Sequence, residues 1–325
     1  MPMTKKHIFA LYAILLLMFS GTWIHAVLKD DRAPIHTVAD AHAQPGGVIS
    51  LVCSAPPARQ LSPILNQSSA YPGDCISLYI AHAKGPGQFS VSAPFYEKPL
   101  TFYPYRDGYA GLVPIYAWLK PGDYQIRVKD LVANTETSLS VKILPKTFDV
   151  QYLWVAETTA AILSDENTAK DQAYFDAARA NPIREKLWDG PFVQPAQGTI
   201  TTSYNSMRYT NGNPVPTRHL AIDIGNAEGT PVMAANNGKV VLARKLIVPG
   251  NTVVIDHGMG IFTSSVHLSE IVVEEGRRVA KGDMIGKMGS TGYAAGAHLH
   301  FAVWKEGTFI NPNFLFVTDP VAYSE

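Results

Sequence analysis

Short apolar or alternating runs, separated by glycine, proline and aspartate, fill most of this chain. Seven such runs lie between Gly46 and about Leu144, spaced roughly every ten residues, and this spacing is typical of a small antiparallel sandwich of the immunoglobulin-like kind. Similar runs between glycines return after about residue 190 and predict a second all-β region. The stretch 155–187 is instead rich in alanine and charge, so it predicts one or two helices that Pro182 should break.

The chain is therefore predicted to be all-β with a short helical linker. Its 325 residues suit two folded domains joined by connecting segments. The predicted parts are a membrane anchor or signal segment (1–30), a linker (31–45), a β-sandwich domain (46–147), a helical linker (148–190) and a second β domain (191–318).

The N-terminal segment carries an export signal of one of two kinds. Lys5 and Lys6 precede an apolar run, Ile8 to Leu28, that is long enough to cross a bilayer as a helix. Paired lysines favour the cytoplasmic side, which would place everything after about residue 30 outside the cytoplasm. The alternative is a cleaved signal peptide with cleavage near Ala26, although bulky Ile24 occupies a position where a small residue is preferred. Both interpretations predict an exported protein, and we favour the one anchored in the membrane.

Charge and cysteine content narrow the function further. Lysine plus arginine and aspartate plus glutamate balance at 27 each, without a basic stripe, so no nucleic-acid partner is expected. Cys53 and Cys75 are the only cysteines, and in an exported protein they could form a disulfide or remain two buried thiols. Their spacing does not suggest a metal site built on thiolates.

Histidines concentrate in the second β region. In GAHLHFAVW, strand alternation places His298 and His300 on one face and the apolar residues between them on the other. In RHLAIDIG, His219 and Asp223 likewise share a face. Imidazole and carboxylate suit zinc, and three protein ligands with an open fourth position are typical of a catalytic zinc site. His219, Asp223 and one histidine of the HLH strand would supply such a set.

Two further histidines of this region have weaker signals. His257 lies in IDHGMG, whose composition predicts a turn, so we expect a solvated side chain rather than a ligand. His267 lies at the end of a predicted strand and gains interest only because metal-type groups occur in the same domain.

Three separated motifs, HLAID, VHLS and GAHLHF, together resemble the signature of the lysostaphin/LytM-type zinc metalloendopeptidases, which are peptidoglycan hydrolases. The sequence around these motifs, such as NTVVIDHGMG, is similar too, and the resemblance covers about residues 190–316. It implies a LytM-type antiparallel β-sheet groove in a zinc metallopeptidase domain at 191–318. The upstream sandwich and linker resemble the N-terminal region of exported bacterial members.

The resemblance also implies roles for individual residues. The Zn2+ ligands, one ion per catalytic domain, would be His219, Asp223 and His300, and the catalytic histidines would be His298 and His267. His298 would act as general base, and His267 would support the oxyanion or protonate the leaving amine, although these two roles could be exchanged. One departure is Ser265, where the family usually has tyrosine, which puts substrate contacts at that position in doubt.

The implied activity is zinc-dependent endopeptidase cleavage of peptide cross-links in peptidoglycan by metal-activated water. The alternative is a catalytically inactive LytM-type regulator that binds and activates another cell-wall hydrolase. A degenerate copy should lack one or more of the five groups, and all five are present here. The sandwich could bind wall polymer, act as a spacer or cover the groove.

Overall fold

The computed structural model describes residues 24–28, 37–41 and 60–323. In the first unit, β1 (Ile24–Leu28) pairs antiparallel with β2 (Thr37–Ala41). The end of the predicted anchor is therefore a strand, and the predicted linker 31–45 contains one, because each segment satisfies its backbone hydrogen bonds with the other. The rest of the predicted anchor, residues 1–23 and 29–30, lies outside the described residues. None of the described helices has the length and apolar character needed to span a membrane.

A β-sandwich is present, as predicted. One four-stranded sheet has the order β3-β5-β8-β7 and the other β4-β10-β9-β6, and apolar side chains of both fill one core. The edge strand β4 departs from the antiparallel prediction, because the chain crosses there from one sheet to the other and β4 runs parallel to β10. The strands are β3 (Ser62–Leu65), β4 (Ser69–Ala70), β5 (Cys75–Ala81), β6 (Phe89–Ser92), β7 (Tyr103–Tyr105), β8 (Gly108–Pro114), β9 (Gly122–Asp130) and β10 (Thr135–Ile143), with a 3-10 turn at Pro86–Gln88.

The structure describes only one of the two cysteines. Cys75 is buried in the central strand β5, all seven residues of which are buried. Cys53 lies outside the described residues, as does the first predicted β run, so the disulfide stays a prediction.

The linker contains strand β11 (Val150–Leu153) and two helices, α1 (Glu157–Ala160) and α2 (Asp165–Arg179). Helix α2 is capped by Ser164, whose side chain accepts a hydrogen bond from the backbone N–H of Asn167 at 3.2 Å. Acidic residues in its first turn and Arg179 in its last complement the helix dipole. The helix ends at Arg179, three residues before Pro182, in agreement with the prediction.

The C-terminal region is a second β domain. An eight-stranded sheet has the order β12-β15-β23-β19-β18-β17-β21, with β24 on β23, and two three-stranded sheets, β11-β13-β14 and β16-β22-β20, flank it. The elements are β12 (Thr199–Thr202), β13 (Ser206–Thr210), β14 (Thr217–His219), β15 (Ile222–Gly225), β16 (Pro231–Met233), β17 (Gly238–Lys245), β18 (Asn251–Asp256), β19 (Ile261–Leu268), β20 (Glu270–Ile271), β21 (Arg278–Val279), β22 (Met284–Lys287), β23 (His298–Lys305), β24 (Thr308–Ile310) and α3 (Pro312–Val317).

The large sheet has one core face and one polar face. Leu299, Phe301 and Val303 of β23 are buried in a core that also contains Ile222 and Ile224 of β15. Because side chains alternate along a strand, the opposite face carries His298 and His300 at the beginning of β23 and Ala302 and Trp304 further along, and we call it the polar face after its histidines. The core continues into the sandwich, since Tyr103 and Leu112 belong to the same cluster, so the two β regions are packed together.

Candidate metal centre

Three neighbouring strands bring His219, Asp223 and His300 to one point. Asp223 lies directly opposite His300 in the pairing of β15 with β23, and His219 ends β14 just before β15. Asp223 Oδ1 is 3.0 Å from His219 Nε2 and 2.9 Å from His300 Nδ1, and the two nitrogens are 2.9 Å apart. The three atoms form a nearly equilateral triangle. The residues predicted as ligands therefore converge on the polar face of the sheet.

This triangle fits a metal ion. Three ligand atoms at about 2.0–2.2 Å from a shared zinc would lie roughly 3.3 Å apart in a tetrahedral site, close to the observed separations. His219 Nδ1–H points to the carbonyl of Ser203 at 3.5 Å, which leaves Nε2 as the unprotonated ligand atom. His219 and Asp223 are buried whereas His300 is partly exposed, so the triangle is accessible from the side of His300.

The protonation states also favour ligation. Burial would raise the pKa of Asp223, but contacts with His219 and His300 hold it well below its usual value. Burial lowers the pKa of His219 to about 4, although Asp223 opposes this shift. At neutral pH the site therefore offers a carboxylate and a neutral imidazole, which are the forms that bind metal.

Arg208 is a site residue that the sequence did not reveal. Its guanidinium donates to Asp223 Oδ2, the oxygen that faces away from the histidines, and its Nη2 also donates to Thr202 Oγ1 at 3.0 Å. Nε donates to Gln151 Oε1 at 3.2 Å, and Gln151 belongs to β11 of the linker. Arg208 thus fixes the orientation of the carboxylate so that Oδ1 points into the triangle. No local spacing marks it, because the contact depends on β13 pairing with β14.

We expect Arg208→Met to weaken zinc binding by about 10- to 100-fold, the usual effect of removing a group that orients a metal ligand. Arg208→Lys is the matched control, because it keeps the charge but not the two-pronged geometry, and should lose less affinity. Competition titration with a fluorescent zinc chelator measures both variants. Equal zinc affinity in wild type and Arg208→Met would show that Arg208 does not orient Asp223.

The two predicted catalytic histidines flank the triangle on its open side. His298 Nε2 is 3.8 Å from Asp223 Oδ1, and its ring centroid is 4.9 Å from that of His267. Each donates its Nδ1–H to a backbone carbonyl at 2.8 Å, His298 to Gly296 and His267 to Thr291. In the neutral form of each ring, Nε2 is therefore the atom that carries the free lone pair. Burial, with His300 and His298 adding to it, lowers the pKa of His267 to about 3.

His267 reaches the site through an unusual backbone conformation. Simple alternation would place it on the same face as Ser265, which pairs with Phe301 on the core side and is 2% exposed. His267 has a φ of 65°, a left-handed conformation that is uncommon outside glycine and that ends the alternation. Such strained residues cluster at functional sites. The core position of Ser265 also means that this side chain does not line the cleft.

His257 is buried rather than solvated, so the prediction for it was wrong. Its Nδ1–H donates to the carbonyl of Asn237, and the Thr263 hydroxyl donates to its Nε2, both at 2.8 Å. The turn composition predicted exposure, but the neighbouring chain covers the turn and satisfies both ring nitrogens. His257 is a structural residue, and burial lowers its pKa to about 4.

This lowered pKa predicts acid sensitivity. Between about pH 6.5 and 4 the unfolded chain protonates His257 and the folded chain does not, so the free energy of unfolding must fall as pH falls through this window. The contribution approaches about 1.4 kcal/mol per pH unit. Urea unfolding of the metal-free protein gives the free energy of unfolding at each pH in this range. Its slope against pH should be shallower in His257→Gln than in wild type, by up to the slope that one bound proton produces. Identical slopes would contradict the assignment.

The segment of the chain that holds the site matches a known family model. Residues 217–312 match the model of Peptidase family M23. The chain is 35% identical over 137 residues to peptidoglycan DD-endopeptidase ShyB of Vibrio cholerae, covering 42% of this chain and 31% of that protein. It is 40% identical over 93 residues to peptidoglycan DD-endopeptidase ShyA of the same organism, covering 29% of this chain and 22% of that protein. The chain thus spans less than a third of the length of either relative.

A solved structure shares the wider fold. A crystal structure from Pseudomonas aeruginosa, assigned to peptidase M23, superposes with a TM-score of 0.51 at 24% identity, covering 76% of this chain and 94% of that one. At this level of identity the likeness concerns the fold alone. The matched segment contains all five candidate site residues, and the resemblance to lysostaphin/LytM-type peptidases is confirmed. The C-terminal β region of this chain carries a peptidase family M23 domain.

Proposed function

We propose that the protein is a zinc-dependent endopeptidase that hydrolyses peptide cross-links of bacterial peptidoglycan. The observation that carries the proposal is the triangle of His219, Asp223 and His300, with its open side beside two more histidines whose Nε2 atoms are free to accept protons. The names of ShyB and ShyA support peptidoglycan as the substrate class. Zinc is favoured over other metals by the His2Asp donor set.

The bound ion would lower the pKa of water toward neutrality and polarise the scissile carbonyl. The histidines must then move the protons. With Nδ1–H held by Gly296, His298 presents the Nε2 lone pair to the side of the triangle where water would enter, which suits a general base. His267 is also neutral and accepts at Nε2, so it can stabilise an oxyanion or protonate a leaving amine only after gaining a proton in the reaction.

The proposal is tested by digesting purified peptidoglycan with the protein and identifying the new termini by mass spectrometry. We expect cleavage within cross-links that stops on chelation and returns with zinc. His300→Ala should lose zinc and cleavage together. An inactive regulator would give no new termini alone and would keep its effect on a partner hydrolase in His300→Ala, and that result would overturn the proposal.

We also propose that the two β regions act outside the cytoplasm, where peptidoglycan lies. The support is the paired lysines and the apolar run from Ile8 to Leu28 in the sequence. Cell fractionation combined with N-terminal sequencing tests this. An intact N-terminus in the membrane fraction would establish the anchor, a mature chain beginning near Ala26 would establish cleavage, and recovery in the cytoplasm would contradict export.

A further inference from the structure

Helix α2 lies on the same face of the large sheet as the candidate ligands. Phe175 and Ala178 pack against a cluster formed by Leu242, Leu246, Val254 and Phe262. The Arg179 guanidinium lies 3.8 Å from the centre of the Trp304 ring, and Trp304 shares the polar face of β23 with His300. The predicted linker is thus also one wall of the space beside the metal centre.

The helix is fixed in this position by a buried carboxylate. Asp171 is 4% exposed and accepts hydrogen bonds from the backbone N–H groups of Ile247, at 3.0 Å, and Val248, at 2.6 Å. The two hydrogen bonds to the Asp171 carboxylate, together with the apolar contact of Phe175 and the cation–π contact of Arg179, hold α2 against the sheet.

A cleft of about 220 Å³ separates the helix from the sheet, and a row of small side chains creates it. Strand pairing places Ala302, Ser264 and Val254 side by side across β23, β19 and β18. His300 stands one row away on one side and Trp304 on the other, so the small row leaves space between them. His300 lines the cleft, which therefore adjoins the candidate metal centre directly.

The lining is mostly apolar and its charged groups are engaged. Asp171 is held by two backbone N–H groups, and Arg179 donates to the carbonyl of Phe175 and stacks on Trp304. An apolar cavity of about 150 Å³ can hold a benzene molecule, so this cleft has room for several carbon atoms. An uncharged aliphatic group fits these surroundings better than a charged one.

We propose that this cleft, bounded by α2 and the row of Ala302, Ser264 and Val254, is a subsite that binds an uncharged aliphatic side chain of a peptide residue next to the scissile bond. The subsite rests on the proposed peptidase function, because its position is defined by the metal centre. Selectivity follows from its size: a methylene group gained or lost in an apolar pocket changes the specificity constant about 10- to 200-fold.

The test fills the cleft from its floor. Ala302→Leu places a larger side chain in the row, Ser264→Val is a milder second variant, and Ala173→Leu on the exposed face of α2 is the matched control. The substrates are synthetic cross-link peptides that carry glycine, alanine or norvaline in turn at each position next to the scissile bond. For every variant, kcat/KM is measured with each peptide, and the zinc content of the protein is measured alongside. We expect wild type and Ala173→Leu to prefer norvaline over glycine at one flanking position by at least about 10-fold, and the filled variants to lose this preference while keeping zinc.

Binding of the same peptides to metal-free protein, by isothermal titration calorimetry, separates the subsite from the activity. Preferential binding of norvaline without any cleavage would overturn the proposed function and keep the subsite. Cleavage by wild type and Ala302→Leu with the same preferences would overturn the subsite. Asp171→Ala, which releases the helix, should lower kcat/KM; a variant more active than wild type would show that α2 is an inhibitory cover instead of a wall.

Discussion

Replacing Asp223 with alanine is expected to abolish zinc binding at the site and to lower the rate of cross-link cleavage by at least about 10³-fold. Asp223 Oδ1 is the only carboxylate atom in the triangle and lies within 3.0 Å of both nitrogens. Without it, two imidazoles remain and the guanidinium of Arg208 is left as an uncompensated positive charge beside them. Zinc content by plasma mass spectrometry and release of peptide termini measure the two effects.

The matched control is Asp123→Ala, an exposed aspartate in β9 of the sandwich, which should leave zinc content and cleavage unchanged. Thermal unfolding of metal-free Asp223→Ala shows whether the fold persists. If Asp223→Ala keeps one zinc per chain and cleaves normally, the metal centre lies elsewhere.

Replacing His298 with alanine should separate metal binding from catalysis. His298 is outside the triangle, since its Nε2 is 3.8 Å from Asp223 Oδ1, so zinc should remain. Its loss removes the proposed general base, and such groups contribute about 10²- to 10⁴-fold to the rate. We expect kcat to fall by this factor with a smaller change in KM.

His82→Ala, in the sandwich, is the control for His298→Ala, because His82 pairs with Asp107 far from the proposed chemistry. Loss of zinc from His298→Ala would make His298 a ligand instead of a base. An unchanged kcat would assign the proton transfer to another group, for which His267 is the nearest candidate.

Alternation along a single strand accounts for one part of the site. His298 and His300 lie on one face of β23, as alternation predicts. His219 and Asp223 belong to two separate strands, β14 and β15, so their convergence depends on the chain between these strands and not on alternation along one strand. The pairing of β15 with β23 then places Asp223 opposite His300. His267 follows a different rule, since its left-handed backbone turns it out of the face that alternation assigns. Its position could be taken only from the family resemblance.

Contacts between distant segments could not be predicted in this way. Arg208 and Gln151 reach Asp223 through the pairing of β11, β13 and β14, and α2 docks through Asp171 onto backbone N–H groups, which carry no sequence signal. The helical periodicity predicted the existence of α2 but not that it would form a wall of the cleft. The burial of His257 was missed for the same reason, because its cover comes from other parts of the chain.

The most direct test of the metal centre is X-ray diffraction from crystals of the zinc-loaded protein, recorded above and below the zinc absorption edge. We expect one strong anomalous peak, bound by His219 Nε2, Asp223 Oδ1 and His300 Nδ1, with its remaining position open toward His298. A peak held by other residues, or no peak within reach of these three atoms, would contradict it.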